Sequence, residues 1–237
     1  MFGEVHEALF VKASGVDLAG IVPAAHLGLA LEPLRRLRGL RELDDEPMRL
    51  ELRRQLLRPG TGTPSIEALV HAFLSPRYID HTHPDAVLAL TNRRGGDALA
   101  REVLGEAVIV LPYVKPGFDL AKAAAEAFEA APRARGMVWA RHGLVTWGSD
   151  AREAYEGTVE FVSRAEEYLA SRGSVPAASG DDVARARERG HSRAGAHGQK
   201  SPSGFSELQV LRLGFCPLGT LTVSRWTCGP DEQPELP

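Results

Sequence analysis

The run Asp80-His81-Thr82-His83-Pro84, read together with Arg141-His142-Gly143, decides how this 237-residue chain is to be understood. Side chains two apart on an extended segment point to the same face, so His81 and His83 can hold one ion between them. A third donor is then needed. His142 supplies it from the tip of an expected strand pair, 137–140 and 144–147, where a turn can present it to the same point. Three imidazoles with an open fourth position form the ligand set of a catalytic zinc rather than a structural one. Histidines near strand ends are also common as plain surface polar residues, so spacing alone leaves both readings open.

Glu67 adds to the first reading. In Thr63-Pro64-Ser65-Ile66-Glu67-Ala68-Leu69-Val70-His71, Thr63 suits an N-cap and Pro64 a first helical position. That places Glu67 in the first turn of a helix or just beyond it, where the helix dipole favours a carboxylate whatever its function. The short link 75–77 turns the chain into the strand that carries the histidine pair, so helix and strand can bring Glu67 beside His81 and His83. An acid next to an open zinc site is a ready general base.

These pieces, with the segment Pro112-Tyr113-Val114-Lys115-Pro116-Gly117-Phe118-Asp119-Leu120-Ala121, resemble the class II aldolase/adducin-type domain over roughly residues 1–170. The likeness is strongest to the aldolase half of bifunctional rhamnulose-phosphate aldolase/dehydrogenase proteins. The resemblance implies that His81, His83 and His142 bind one Zn2+ per subunit and that Glu67 is the acid/base. It also implies that Ser14 and Gly15 form a phosphate-binding turn, with Ser65 as a further phosphate contact. Tyr113 lies near a tyrosine sometimes credited with protonating the leaving aldehyde, a looser match.

The implied reaction is cleavage of a ketose 1-phosphate of the rhamnulose-1-phosphate kind to dihydroxyacetone phosphate and an aldehyde. Such cleavage builds negative charge next to a carbonyl, which a Lewis-acidic zinc stabilises. Neutral imidazoles suit that work because they leave the ion its full charge. A Ser-Gly turn lets backbone N–H groups approach a phosphate. A pentulose-phosphate epimerase or a thiosugar-phosphate dehydratase of the same fold shares the three histidines. A non-catalytic, adducin-like assembly module is the reading from another class, and such modules are expected to lose the zinc histidines.

Two departures from the family pattern stand out. The family domain begins some tens of residues earlier, with a glycine-rich loop that completes the phosphate site, whereas this chain opens at Met1-Phe2-Gly3-Glu4-Val5; either a true start further upstream or a truncated relative is the expectation. Ile66 stands where simpler aldolases carry another serine, a mark of the fused subfamily.

Composition fits a soluble enzyme domain, and the resemblance implies a small sugar phosphate as its partner. With 43% hydrophobic residues and a net charge of −3, the chain can bury a core and has no electrostatic pull toward nucleic acid or anionic membrane. No basic-then-apolar leader is visible, so the cytoplasm is expected. Cys216 and Cys228 are too few for a disulfide framework. A homotetramer follows from the resemblance.

Periodicity predicts helices at 32–40, 46–57, 65–74, 84–91, 119–130 and 150–170, and strands at 4–11, 78–83, 107–111 and in the two arms around His142. Asp150 with Glu153 forms a capping box for the last helix. Its apolar stripe is Ala154, Tyr155, Thr158, Phe161, Val162, Ala165, Tyr168 and Leu169. The fold class is therefore α/β, a mostly antiparallel central sheet covered by helices. Residues 171–237 are a separate low-complexity or non-homologous tail. Within it, 171–204 lacks the apolar residues to fold and is expected to be disordered, while Arg185, Arg187, Arg189 and Arg193 are diluted by acids. The stretch 205–226 is apolar enough for a strand or two. No Gly-x-Gly-x-x-Gly turn introduces a dehydrogenase domain, and a shifted reading frame from Gly173 onward would account for that.

Overall fold

Alternation of large apolar residues builds the sheet. In the computed structural model, which describes residues 6–16, 21–60, 62–172 and 221–228, the elements run in chain order as follows. Strand β1 (His6–Lys12) leads through a 3-10 turn (Pro23–Ala25) to β2 (His26–Ala30) and the helices α1 (Leu31–Leu37), α2 (Asp45–Arg54) and α3 (Ala68–Phe73). Then come β3 (Tyr78–Thr82), α4 (Asp85–Thr91), α5 (Gly96–Leu104), β4 (Val108–Leu111) and α6 (Phe118–Ala130). The strands β5 (Gly136–Trp139) and β6 (Gly143–Gly148), the long helix α7 (Ala151–Ser171) and β7 (Leu221–Cys228) complete the fold.

The strands form one sheet in the order β2-β1-β7-β3-β6-β5-β4. Every pairing is antiparallel except β4 with β5, which α6 connects as a crossover. This is the expected helix-covered, mostly antiparallel sheet. Met137, Trp139 and Val145 face a core built with α1, α2, α3 and α6, while Val138 and Leu144 face a second core with α4, α5 and α7. Ile79 belongs to the first core and His81 lies opposite Val145, so the pleat carries His81 into that same layer. The outer strand β4 is blunted by Arg101, whose guanidinium donates to the Val110 carbonyl at 3.0 Å.

Four features differ from the expectations. The helix expected from Thr63 starts only at Ala68, because Pro64 is held extended in a bridge with Ala13 and residues 65–67 form a turn. Strand β2 escaped notice because its alternation rests on only Leu27 and Leu29 around Gly28. Helix α5 buries only Gly96, Ala100 and Leu104, a stripe too small to register as apolar. Tyr155 is 45% exposed and stands off the α7 stripe, its place taken by Gly157.

The cap of α7 forms as expected in one half: Asp150 accepts from the Glu153 N–H at 2.8 Å. Glu153 reaches back one residue further than anticipated, to the Ser149 N–H at 2.7 Å. Strand β7, which overlaps the end of the stretch expected to hold a strand and runs two residues beyond it, fills the position between β1 and β3. Residues 173–220, with Cys216, the four arginines and the start of the apolar stretch, lie outside the described residues, as do 1–5 and 17–20.

Candidate metal centre

Three separate elements deliver four donors to one point. His81 is the penultimate residue of β3, His83 lies just past the end of that strand, His142 sits in the β5–β6 turn, and Glu67 precedes α3. One ligand atom from each lies within 4.8 Å of every other. His81 Nε2 is 2.9 Å from His83 Nε2 and 3.6 Å from Glu67, and His142 Nε2 is 2.7 Å from Glu67. Zinc–nitrogen distances imply tetrahedral edges of roughly 3.3 Å between donors. These three separations bracket that value.

The protons also fit. The Leu144 carbonyl lies 3.0 Å from His81 Nδ1 and can only accept, so Nδ1 carries the hydrogen and Nε2 turns a lone pair toward the other donors. Trp139, 2% exposed, walls the centre with its ring 4.6 Å from that of His81 and 5.1 Å from that of His142. Desolvation drives the His81 imidazole down to about 3, outweighing the attraction of Glu67, so the ring is neutral. Desolvation also lowers His83, although the residue's outer edge reaches solvent. Burial by itself would raise the Glu67 carboxyl. The hydrogen bond from His142, with the electrostatic pull of the surrounding imidazoles, overcomes it and holds the group at about 2, ionised.

Gly143 explains why the third histidine is followed by glycine. A Cβ there would stand 2.4 Å from the Thr82 carbonyl oxygen, 2.8 Å from His83 Cδ2 and 2.9 Å from His81 Cε1. Only a residue without a side chain lets β6 pass this close. Arg141 is the one described non-glycine residue with positive φ, at 62°. That conformation, which costs a non-glycine residue about 1–2 kcal/mol, turns the chain so that His142 follows. The turn closes with the His142 N–H on the Trp139 carbonyl at 3.0 Å, and Thr91 Oγ1 accepts the Arg141 N–H at 3.1 Å.

The expected phosphate residues form a second, adjoining group. The Ser14 N–H donates to the Thr63 carbonyl at 2.9 Å, and Ser65 Oγ accepts the Glu67 N–H at 3.2 Å, which ties the Ser14–Gly15 turn to the segment carrying Glu67. Gly15 adopts φ +80° with open space around its Cα. Lys12 went unnoticed in the sequence; its ammonium donates to the Ala13 and Val16 carbonyls at 3.1 and 2.9 Å and so braces the same turn. Tyr113 is 53% exposed, on the loop after β4.

Residues 4–169 match the family model described as Class II Aldolase and Adducin N-terminal domain. The chain belongs to that family. Within it, the N-terminal class II aldolase domain of a conserved Thermoplasma acidophilum protein is 31% identical, with a TM-score of 0.63 over 70% of this chain and 84% of that one. A sugar-phosphate aldolase from Thermotoga maritima shares the fold at 20% identity, TM-score 0.51, over 74% of this chain and 78% of that one. The Bacillus subtilis protein named "Uncharacterized oxidoreductase YuxG" is 36% identical over 170 residues, 72% of this chain. The matched stretch is only 25% of that relative's length. As a class II aldolase-type domain, the chain carries a candidate metal site of the sort on which that family's lyases typically depend. No helix among the described residues is long and apolar enough to cross a membrane.

Proposed function

We propose that this domain catalyses zinc-dependent aldol cleavage of a ketose 1-phosphate of the rhamnulose-1-phosphate type, giving dihydroxyacetone phosphate and an aldehyde. The observation that carries the reading is the convergence of Glu67 with His81, His83 and His142 on one point. A non-catalytic assembly module has no need of that convergence. His81, His83 and His142 would hold the ion, which when bound supplies Lewis-acid stabilisation of the charge developing beside the substrate carbonyl.

Glu67 moves the proton at the carbon next to that carbonyl, taking it in the condensation direction and returning it in cleavage. In the resting site the His142 hydrogen bond holds its basicity down. Once that contact is given up, burial is opposed only by the remaining pull of the neighbouring imidazoles, and the carboxylate becomes a stronger base. Ser14, Gly15 and Ser65 receive the substrate phosphate, with Lys12 adding positive charge to the turn they form. The match to one quarter of a longer relative supports kinship with fused, multidomain proteins, while the oxidoreductase in that relative's name stays with that protein. We place the protein in the cytoplasm as a homotetramer acting on a free small-molecule substrate, without nucleic acid or membrane.

The test is aldehyde release from rhamnulose 1-phosphate by purified protein, run against epimerisation of ribulose 5-phosphate. Glu67→Gln should keep stoichiometric zinc and lose ~10²–10⁴ in turnover, the usual contribution of a general base. Zinc retained with full turnover would remove Glu67 from the role. A chain that binds no zinc, or whose zinc survives His81→Ala, would return the domain to the assembly reading.

A further inference from the structure

The turn that delivers His142 takes the costlier of two forms open to it. Residues Trp139 to His142 close a four-residue turn, with the His142 N–H on the Trp139 carbonyl at 3.0 Å. Of its two central residues only Arg141 has positive φ, at 62°, the mark of a type II turn, whose third position favours glycine or asparagine. Arginine suits the type I form better, since φ stays negative there. The two forms differ by a rotation of roughly 150–170° of the peptide between the central residues. That peptide carries the Arg141 N–H, so the form adopted decides which way this hydrogen points.

In the structure it points at Thr91 Oγ1, 3.1 Å away. Thr91 is 1% exposed, at the last residue of α4, and gives its own hydrogen to the Val87 carbonyl at 3.2 Å, which leaves an oxygen lone pair for the turn. The helix is itself held in place. Ala86, Val87 and Leu90 pack in the second core with Val138 and Leu144, from the strands on either side of the turn. Helix α4 also starts two residues after His83, past Pro84. One seven-residue helix therefore runs from one imidazole-bearing segment to the other.

We infer that Thr91 is a positioning residue for His142: its hydroxyl holds the central peptide of the turn in the type II orientation, and that orientation sets where His142 stands against His81, His83 and Glu67. Without the acceptor the peptide turns over and Arg141 regains negative φ. Its N–H then reaches solvent, and His142 leaves the point on which the other donors converge. The inference rests on the metal-binding reading of the site and adds to it a residue that touches neither ion nor substrate.

The test measures zinc affinity by competition with a chromophoric chelator, together with hydrogen exchange at the Arg141 amide in the zinc-free full chain. Thr91→Val keeps the side-chain outline and removes the acceptor. It should weaken zinc binding by about tenfold, the low end for a lost support behind a ligand, and open the Arg141 amide to fast exchange. Thr91→Ser, which keeps the hydroxyl, should stay close to the parent in both measurements. Adding Arg141→Gly to Thr91→Val should recover most of the lost affinity, because glycine holds positive φ unaided. In a His142→Ala background, Thr91→Val should weaken zinc no further. A threonine that only stabilised the fold would add its effect to that of His142→Ala and would be indifferent to glycine at position 141. Parent-like zinc affinity in Thr91→Val, or a loss that persists undiminished beside Arg141→Gly or His142→Ala, would overturn the inference and leave the metal reading standing. So would an Arg141 amide that exchanges as fast as an unprotected one in the unsubstituted chain, a result that needs no folded valine variant. Absence of zinc binding by the unsubstituted chain would overturn the metal reading itself, and the inference with it.

Discussion

Replacing Gly143 by alanine puts a methyl group where the structure has no room for one. The three nearest atoms stand at 2.4, 2.8 and 2.9 Å, against an optimum of roughly 3.5–4.0 Å between carbon atoms. The closest is the Thr82 carbonyl oxygen, which cannot rotate aside as a side chain could. Relief requires β3 and β6 to part where Thr82 pairs with Leu144, at the two strands that carry the histidines. Overpacking of a core costs about 1–3 kcal/mol, and a backbone obstacle places Gly143→Ala near 3 kcal/mol. For a domain of this size that is a fall of about 6–12 °C in Tm. Zinc affinity should drop at least tenfold, since donors must be held to about 0.5 Å. Gly157→Ala is the matched control: its Cβ would meet Thr146 at an ordinary 3.5 Å inside α7, so it should gain about 0.5–1 kcal/mol. Urea unfolding of both zinc-free variants, with a chelator competition for zinc, decides. Equal midpoints for the two alanines would refute the close-approach account of the His142-Gly143 pair.

Asp150→Ala should destabilise the fold by about 1 kcal/mol, because the Glu153 N–H loses its acceptor at the start of α7; a urea midpoint equal to that of the parent would contradict this. Acid should weaken the zinc-free protein from mildly acidic pH downward. His81 falls from an ordinary 6.5 to about 3 in the fold, so between those values the unfolded chain binds a proton that the folded one refuses. Stability is then full above pH 6.5 and is lost as pH falls toward 3, by up to ~1.4 kcal/mol per pH unit for one proton. Glu67, lowered from 4.5 to about 2, adds a loss of the same sign below pH 4.5. Urea midpoints that stay flat from pH 7 to 5 in the zinc-free protein, and fall no faster than in His81→Ala, would count against a buried neutral His81.

Much of the centre was legible because its chemistry is written locally. His81 and His83 share a face by strand period alone, and His142 was placed by two apolar arms that the structure pairs in register, Met137 with Val145 and Val138 with Leu144. Glu67 reached the site by a different local path from the one anticipated. The Thr63-Pro64 signal was a fair helix start, yet pairing of Pro64 with Ala13 outcompeted it, and the Ser65 hydroxyl took the Glu67 N–H instead. What the sequence hid was long-range: the Leu144 carbonyl on His81, the Thr91 hydroxyl under Arg141, and the backbone crowding around Gly143. Each is a contact between residues far apart in the chain. No spacing rule encodes such contacts.

The second nitrogen of each imidazole makes the three histidines unequal as ligands. A ring that binds metal through Nε2 carries its hydrogen on Nδ1 and needs an acceptor there. For His81 the Leu144 carbonyl already serves, at 3.0 Å. For His83 the residue's exposed edge lets water serve. His142 Nδ1 is buried with no partner among the described residues, and its Nε2 faces Glu67. To ligate, His142 must bury an N–H without an acceptor, which costs ~1–3 kcal/mol and is subtracted from whatever its metal bond contributes. Lost support of this kind typically changes metal affinity 10–100-fold. His81→Ala should therefore weaken zinc binding at least tenfold more than His142→Ala, when both are titrated at neutral pH against a chromophoric chelator. If His142→Ala proves the more damaging, a water or a partner group must satisfy Nδ1 in the loaded protein, and the ranking drawn from burial is wrong.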